Sequence, residues 1–223
     1  MALSTHKCDP ELGERIHLKL KKLGIETPTV GLTMSSNVRI KKITKHFAII
    51  MKTLGLDLED DSLKDSPSRV GKMFINEIFW GLFPHNFPKC TAIENKMNYD
   101  EMVLERGISV MSVCEHHFVT INGKAHVAYI PKGKVLGLSK LNRVVEYFSR
   151  RPQVQERLTE QVYHSLAEIL ETDDVAVVIE AEHFCVKMRG VEDPHSLTIT
   201  SKLGGRFKKN DALRAEFMKL IGV

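Results

Sequence analysis

The sequence has no apolar run long enough to cross a membrane. Its longest, such as Phe47 to Met51 and Val175 to Ile179, fall well short of the roughly 18 residues that a spanning helix needs. Residues Met1 to Pro10 also lack the apolar core of a secretion signal. Cysteine is scarce: four residues, at 8, 90, 114 and 185 of 223, are too few and too scattered for a disulfide framework. A reducing, cytoplasmic setting with no membrane partner is therefore expected. A strong charge of one sign is lacking as well. Thirty-two basic against 28 acidic residues leave a formal net charge of +4, too small to mark a nucleic-acid-binding surface. There is no internal repeat and no low-complexity tract. With 43% hydrophobic and 27% charged residues, the composition is that of a globular protein with a real core.

Helical periodicity dominates the first part of the chain. Leu12, Ile16, Leu20 and Leu23 predict a short amphipathic helix over 10–24, and Ile40, Ile43, Phe47, Ile50 and Leu54 a second over 38–54, stopped by Gly55. Ser66-Pro67 reads as an N-cap followed by a first-turn proline, opening a helix that runs to about Trp80-Gly81. The character then changes to strands over 91–97, 102–113 and 118–130, the last divided by the turn signal Asn122-Gly123. Ser139 and Pro152 each open a helix, the second carrying Gln155 and Glu156 on its polar, solvent-facing side. Strands over 175–181, continuing into 183–187, and 196–203 precede a last helix over 210–221. This order predicts an α+β protein with a largely antiparallel sheet, an N-terminal helical region over 1–90 and a catalytic domain over 91–223.

The chemistry is concentrated in Cys114-Glu115-His116-His117 and in His183-Phe184-Cys185. Residues two apart on a strand share a face, so His183 and Cys185 are expected to point together, while the Cys-x-x-His spacing of Cys114 and His117 needs a turn at a strand end. Zinc takes sulfur and imidazole nitrogen in a tetrahedral shell. Three protein ligands with an open position make such a site catalytic, whereas Cys114, His117, His183 and Cys185 together would close a structural Cys2His2 site. Spacing alone does not separate the two. The remaining cysteines have plainer readings, Cys8 beside His6 as a chance neighbour in a polar terminus and Cys90 as a small buried hydrophobe. Ser139, Lys140 and Arg143 combine a helix N-terminus with two cations on one face, which suits a phosphate, and Arg189 adds charge just after the second cluster. Arg69 and Lys72 share a helix face.

The segments CEHHFVTINGKAHVAYIPKG (114–133), GLSKLNR (137–143), RRPQVQERLT (150–159) and HFCVKMRGV (183–191) resemble the GTP cyclohydrolase I family, and the resemblance extends from about residue 38 to the C-terminus. It implies the tunnelling fold, in which a four-stranded antiparallel sheet with two helices on one side assembles into rings, here a homodecamer. It implies Zn2+ on Cys114, His117 and Cys185 with the fourth position open, which leaves His116 and His183 unligated as acid and base. By position it also implies Glu156 as the guanine anchor supported by Gln155, Ser139 and His116 near the ribose, and Lys140, Arg143 and Arg189 on the triphosphate. Arg69 matches a residue that reaches a neighbouring subunit's site. One departure is the strand Thr198-Ile199-Thr200-Ser201-Lys202, which the family makes richer in threonine.

The implied reaction starts with protonation of the purine N7 of GTP by His183 and hydrolysis at C8, releases formate, and ends with rearrangement of the ribose into a pterin ring, Ser139 and His116 moving the sugar protons. A zinc deaminase acting on a nucleobase would instead carry H-x-E with P-C-x-x-C, and the chain contains no C-x-x-C. A ring-forming binding module with a structural zinc is the non-enzymatic alternative.

Overall fold

The computed structural model describes residues 7–31 and 33–222, so His6, the neighbour of Cys8, lies outside the described residues. Three helices come first: α1 (Pro10–Lys22), α2 (Ser36–Thr53) and α3 (Ser66–Met73). Asp9 caps α1 by accepting from the Leu12 amide at 3.0 Å. Asp65, not Ser66, occupies the N-cap position of α3, and the predicted helix to Trp80 stops at Met73, where a π-helical turn over Phe74–Ile78 takes over. Strands β1 (Ala92–Glu94), β2 (Val103–Cys114), β3 (Thr120–Tyr129) and β4 (Lys134–Leu136) follow, then α4 (Leu138–Ser149), β5 (Pro152–Gln153), α5 (Gln155–Leu170), β6 (Val175–His183), α6 (Phe184–Lys187), β7 (Thr198–Leu203), α7 (Gly205–Lys209) and α8 (Asp211–Ile221).

The main sheet has the order β5-β2-β3-β6-β7, with each of β2, β3, β6 and β7 antiparallel to its neighbours in that run. The four-stranded antiparallel expectation thus gains a two-residue parallel edge, β5 against Val113 and Cys114. Strands β1 and β4 form a separate pair. One face of the main sheet, lined by Val110, Val127, Val177 and Ile179, packs on Val144, Val145 and Phe148 of α4 and Leu158, Val162 and Leu166 of α5. The opposite face is covered near Ala128, Ala176 and Val178 by Phe207, Phe217 and Ile221. Leu12, Ile16 and Leu20 of α1 join the first core. In α2, by contrast, only Met51 is buried, and Ile49 and Ile50 face outward, as does Leu54 at its C-cap.

Four sequence expectations are corrected here. Asn122-Gly123 is not a turn: β3 runs through it unbroken. Its glycine is required by close approach instead, since a Cβ at 123 would lie 2.1 Å from the Glu180 carbonyl oxygen on β6. Pro152 does not open a helix, because residues 152–153 extend along β2 and α5 begins at Gln155. Gln155 does not face solvent; it is 1% exposed. Cys185 does not continue the strand, which ends at His183 and gives way to α6.

The N-terminal segment after α1 is anchored by a buried ion pair. Arg151, 3% exposed, bonds Glu26 and lies over the rings of Tyr147 and Phe148, each centroid 4.7 Å away.

Gly123→Ala is expected to lower stability by about 2 kcal/mol or more, because the added methyl meets backbone that cannot retreat without breaking the β3–β6 ladder. Urea denaturation measures this as a reduced midpoint with an unchanged slope.

Candidate active site

Strand register brings the two chemical clusters to one edge of the sheet. Ile121 pairs with Ser112 on β2 and with His183 on β6, so the ends of β2 and β6 flank the start of β3. Cys114 ends β2, and the chain then turns tightly. The Phe118 amide donates to the Cys114 carbonyl at 2.9 Å and the Cys114 amide to the Val119 carbonyl at 2.8 Å. Within that turn His117 folds back, its Nδ1 4.0 Å from Cys114 Sγ, and the first turn of α6 presents Cys185. The ligand atoms of Cys114, His117 and Cys185 all lie within 4.8 Å of one another, a group able to hold a metal ion. Two of these three side chains are at least partly shielded from solvent, and His117 is exposed.

His183 stands outside that group. Its Nε2 is 2.7 Å from Gln155 Oε1. The Gln155 amide nitrogen donates to the carbonyls of Ile179 and Thr198, both at 2.9 Å, and to Thr200 Oγ1 at 3.2 Å. Two carbonyl oxygens can only be met by the NH2 end, so the amide oxygen must face the histidine. His183 therefore carries hydrogen on Nε2, and Nδ1 is the atom left to exchange a proton. Burial pushes the His183 imidazole below its ordinary value, and the Glu156 charge partly opposes it. The Cys185 thiol is pushed up, first by burial and then by its hydrogen bond and charge interaction with Cys114. A cation between the two sulfurs reverses that preference.

The other expected residues divide into two sets. Arg189 is close, with Nη1 2.8 Å from His117 Nε2, and Glu156 is exposed beside His183. His116 has its Nδ1 4.0 Å from Cys114 Sγ. Ser139, Lys140 and Arg143 lie elsewhere. Ser139 and Lys140 sit in the first turn of α4, just after β4, and Arg143 one turn on; burial pushes the Cys90 thiol up to about 12 against the charges of Lys140 and Arg143. The end of α4, not its start, leads into β5 beside Cys114. Arg69 is exposed on α3, 3.8 Å from Asp65.

Sequence reasoning missed several supporting residues. Glu115 is bound by both Arg157 terminal nitrogens, one at 3.4 Å, which ties the metal-capable turn to the first turn of α5. Thr159 Oγ1 bonds the Gln155 carbonyl at 2.9 Å and Thr200 Oγ1 at 2.7 Å. Only the spacing of Gln155 and Thr159, four apart on one helix face, hinted at this in advance.

A metal-capable thiol–imidazole cluster two residues along the chain from a half-buried histidine oriented by a buried glutamine is the apparatus of an enzyme acting by acid–base chemistry. The profile of GTP cyclohydrolase I matches residues 43–222. The chain is 56% identical over 203 residues to a GTP cyclohydrolase 1 of Aeromonas salmonicida, covering 91% of this chain and 93% of that protein. It is 53% identical over 208 residues to one from Vibrio vulnificus, covering 93% and 96%, and 53% identical over 206 residues to one from Serratia proteamaculans, covering 92% and 93%. The chain belongs to the GTP cyclohydrolase I family and is an enzyme.

Gln155→Glu is expected to be more damaging than Gln155→Leu, since it turns an acceptor toward two carbonyl oxygens as well as removing their donor. A loss of about 2–3 kcal/mol in urea denaturation is the expected size for Gln155→Glu.

Proposed function

We propose that this enzyme opens the imidazole ring of the guanine of GTP by hydrolysis, releases formate and forms 7,8-dihydroneopterin triphosphate, the entry step of pterin and folate biosynthesis. The observation that carries the reading is the cluster of Cys114, His117 and Cys185, with His183, two residues before Cys185, held by Gln155. Two thiolates and an imidazole are a donor set that zinc takes, and three protein ligands leave one position open. Zinc held by these three residues would supply Lewis acidity and acidify water there.

The chain's own residues supply the rest. Glu156, exposed at the first turn of α5, accepts from the two adjacent donors of the guanine edge, N1–H and the 2-amino group. His183 delivers a proton to N7 from Nδ1, its Nε2–H being held by Gln155, and so makes C8 electrophilic. The depressed proton affinity of His183 suits a donor that must give its proton up. Arg189 turns from His117 to the triphosphate, a stronger, charged acceptor. His116 and Ser139 move the protons of the opening ribose.

Ser139, Lys140 and Arg143 serve the cluster of a second copy of the chain, since in their own chain it is the opposite end of α4 that leads into β5 beside Cys114. A ring, a homodecamer of the tunnelling fold, meets that need. The outward-facing Ile49 and Ile50 of α2 and Leu54 at its C-cap support assembly. In this reading residues 91–223 form the catalytic domain, and residues 1–90 supply helices to the assembly and Arg69 to a neighbouring site. Among the described residues no helix is long and apolar enough to cross a membrane, and a cytoplasmic setting suits the thiol ligands.

His183→Ala is expected to keep its metal and its assembly while product formation falls by at least about 10²-fold. Metal analysis alongside fluorescence of the oxidised pterin reads both, and a metal-free variant would point to His183 as a ligand of a structural site. Glu156→Ala should fold and retain metal yet lose its preference for GTP over ATP, measured by competition binding. Mixing Cys185→Ala with Lys140→Ala/Arg143→Ala, each inactive alone, should restore up to about a quarter of wild-type activity if subunits exchange and sites are shared. Absence of any recovery in rings verified as mixed counts against a shared site.

A further inference from the structure

The turn that carries the metal-capable residues ends in a residue whose backbone is unusual for its type. Phe118 has φ +54°, the left-handed region that a bulky aromatic rarely enters. Its amide bonds back four residues to Cys114, the pattern in which glycine normally occupies that position because a side chain there is strained. Hydrophobic burial does not account for the phenylalanine, which is 55% exposed.

The ring meets two others instead. Phe79 lies edge-on to it with centroids 5.7 Å apart, and Phe74 is tilted at 6.4 Å. Phe74 and Phe79 also pack edge-on against each other at 5.2 Å. Five residues apart on an α-helix, these rings would diverge by about 140°. The π-helical turn removes that divergence: the Phe79 amide bonds the Phe74 carbonyl at 2.9 Å, and the wider turn brings both rings to one side. A π-turn and a left-handed phenylalanine, each unfavourable locally, thus meet at one contact beside Cys114 and His117.

We propose that Phe74 and Phe79 clamp Phe118 and thereby hold the 114–118 turn in the shape that presents Cys114 and His117 to a metal, making Phe118 a positioning residue of the metal site. The inference rests on Cys114, His117 and Cys185 being the ligands. It also gives α3, which runs directly into the π-turn, a mechanical connection to the site: any change in the packing of this helix bears on the ligands through the three rings.

The test is cobalt binding by the metal-stripped full-length chain, followed by the visible absorption of Co2+ bound to thiolate and by zinc competition. Phe118→Gly relieves the backbone strain while removing the ring, and should weaken Co2+ binding about 10–100-fold, the size typical of groups that orient ligands. Its Co2+ spectrum should change, while thermal unfolding of the metal-free chain stays near wild type. Phe118→Tyr should retain wild-type affinity. Phe74→Ala, outside the turn, should weaken binding in the same direction and carries the test if Phe118→Gly does not fold. Wild-type affinity and spectrum in Phe118→Gly, or in Phe74→Ala, would overturn the clamp with the ligand assignment intact. A wild-type chain that takes up no Co2+ or Zn2+ overturns the ligand assignment and the clamp with it.

Discussion

Pairing of β3 with β2 on one side and β6 on the other determines where the functional side chains end up, because a one-residue slip in either ladder would turn Cys114 or His183 to the opposite face. Gly123 makes the β3–β6 register possible by letting the two backbones approach. The packed face of the sheet then leaves no room for slippage: Val127, Val177 and Ile179 are fully buried under α4 and α5. Helix α5 also supplies Gln155, whose amide reads the spacing of β6 and β7 by bonding Ile179 and Thr198 together. Chemistry at His183 is thus connected by hydrogen bonds to the core that defines the fold.

Three connections converge on the turn at 114–118 from different parts of the chain. Arg157 holds Glu115 from α5, the Gln153 carbonyl accepts from the Glu115 amide at 3.1 Å on β5, and the Phe74–Phe79 pair meets Phe118 from the N-terminal helices. A metal-capable group needs its donors fixed before the ion arrives, and a short exposed turn cannot supply that rigidity from its own backbone. The neighbouring elements do so. What one chain does not assemble at the cluster is a cationic wall for a polyphosphate: Arg189 lies there, but Lys140 stands in the first turn of α4 and Arg143 near its middle. In the proposed assembly a second copy of the chain completes that wall.

The residue types and spacings on their own determined the identity of the chemical cluster, the helical character of the first part of the chain, the antiparallel α+β class and the family. Thiols, imidazoles and long motifs are local properties, and they survive any error in placing elements. Local signals misjudged Asn122-Gly123, Pro152 and Gln155, each for a reason of tertiary origin. The glycine answers to a carbonyl 57 residues away, the proline extends along a strand it does not adjoin in sequence, and the glutamine amide is buried by two strands brought over it. Sequence spacing left the three-ligand and four-ligand metal readings level. In the folded chain three donors gather while His183 turns to Gln155, because the strand ends at 183 and the helical turn that follows rotates Cys185 away from the strand's alternation. Which side chains meet is a matter of register and packing between distant segments, and those exist only once the chain has folded.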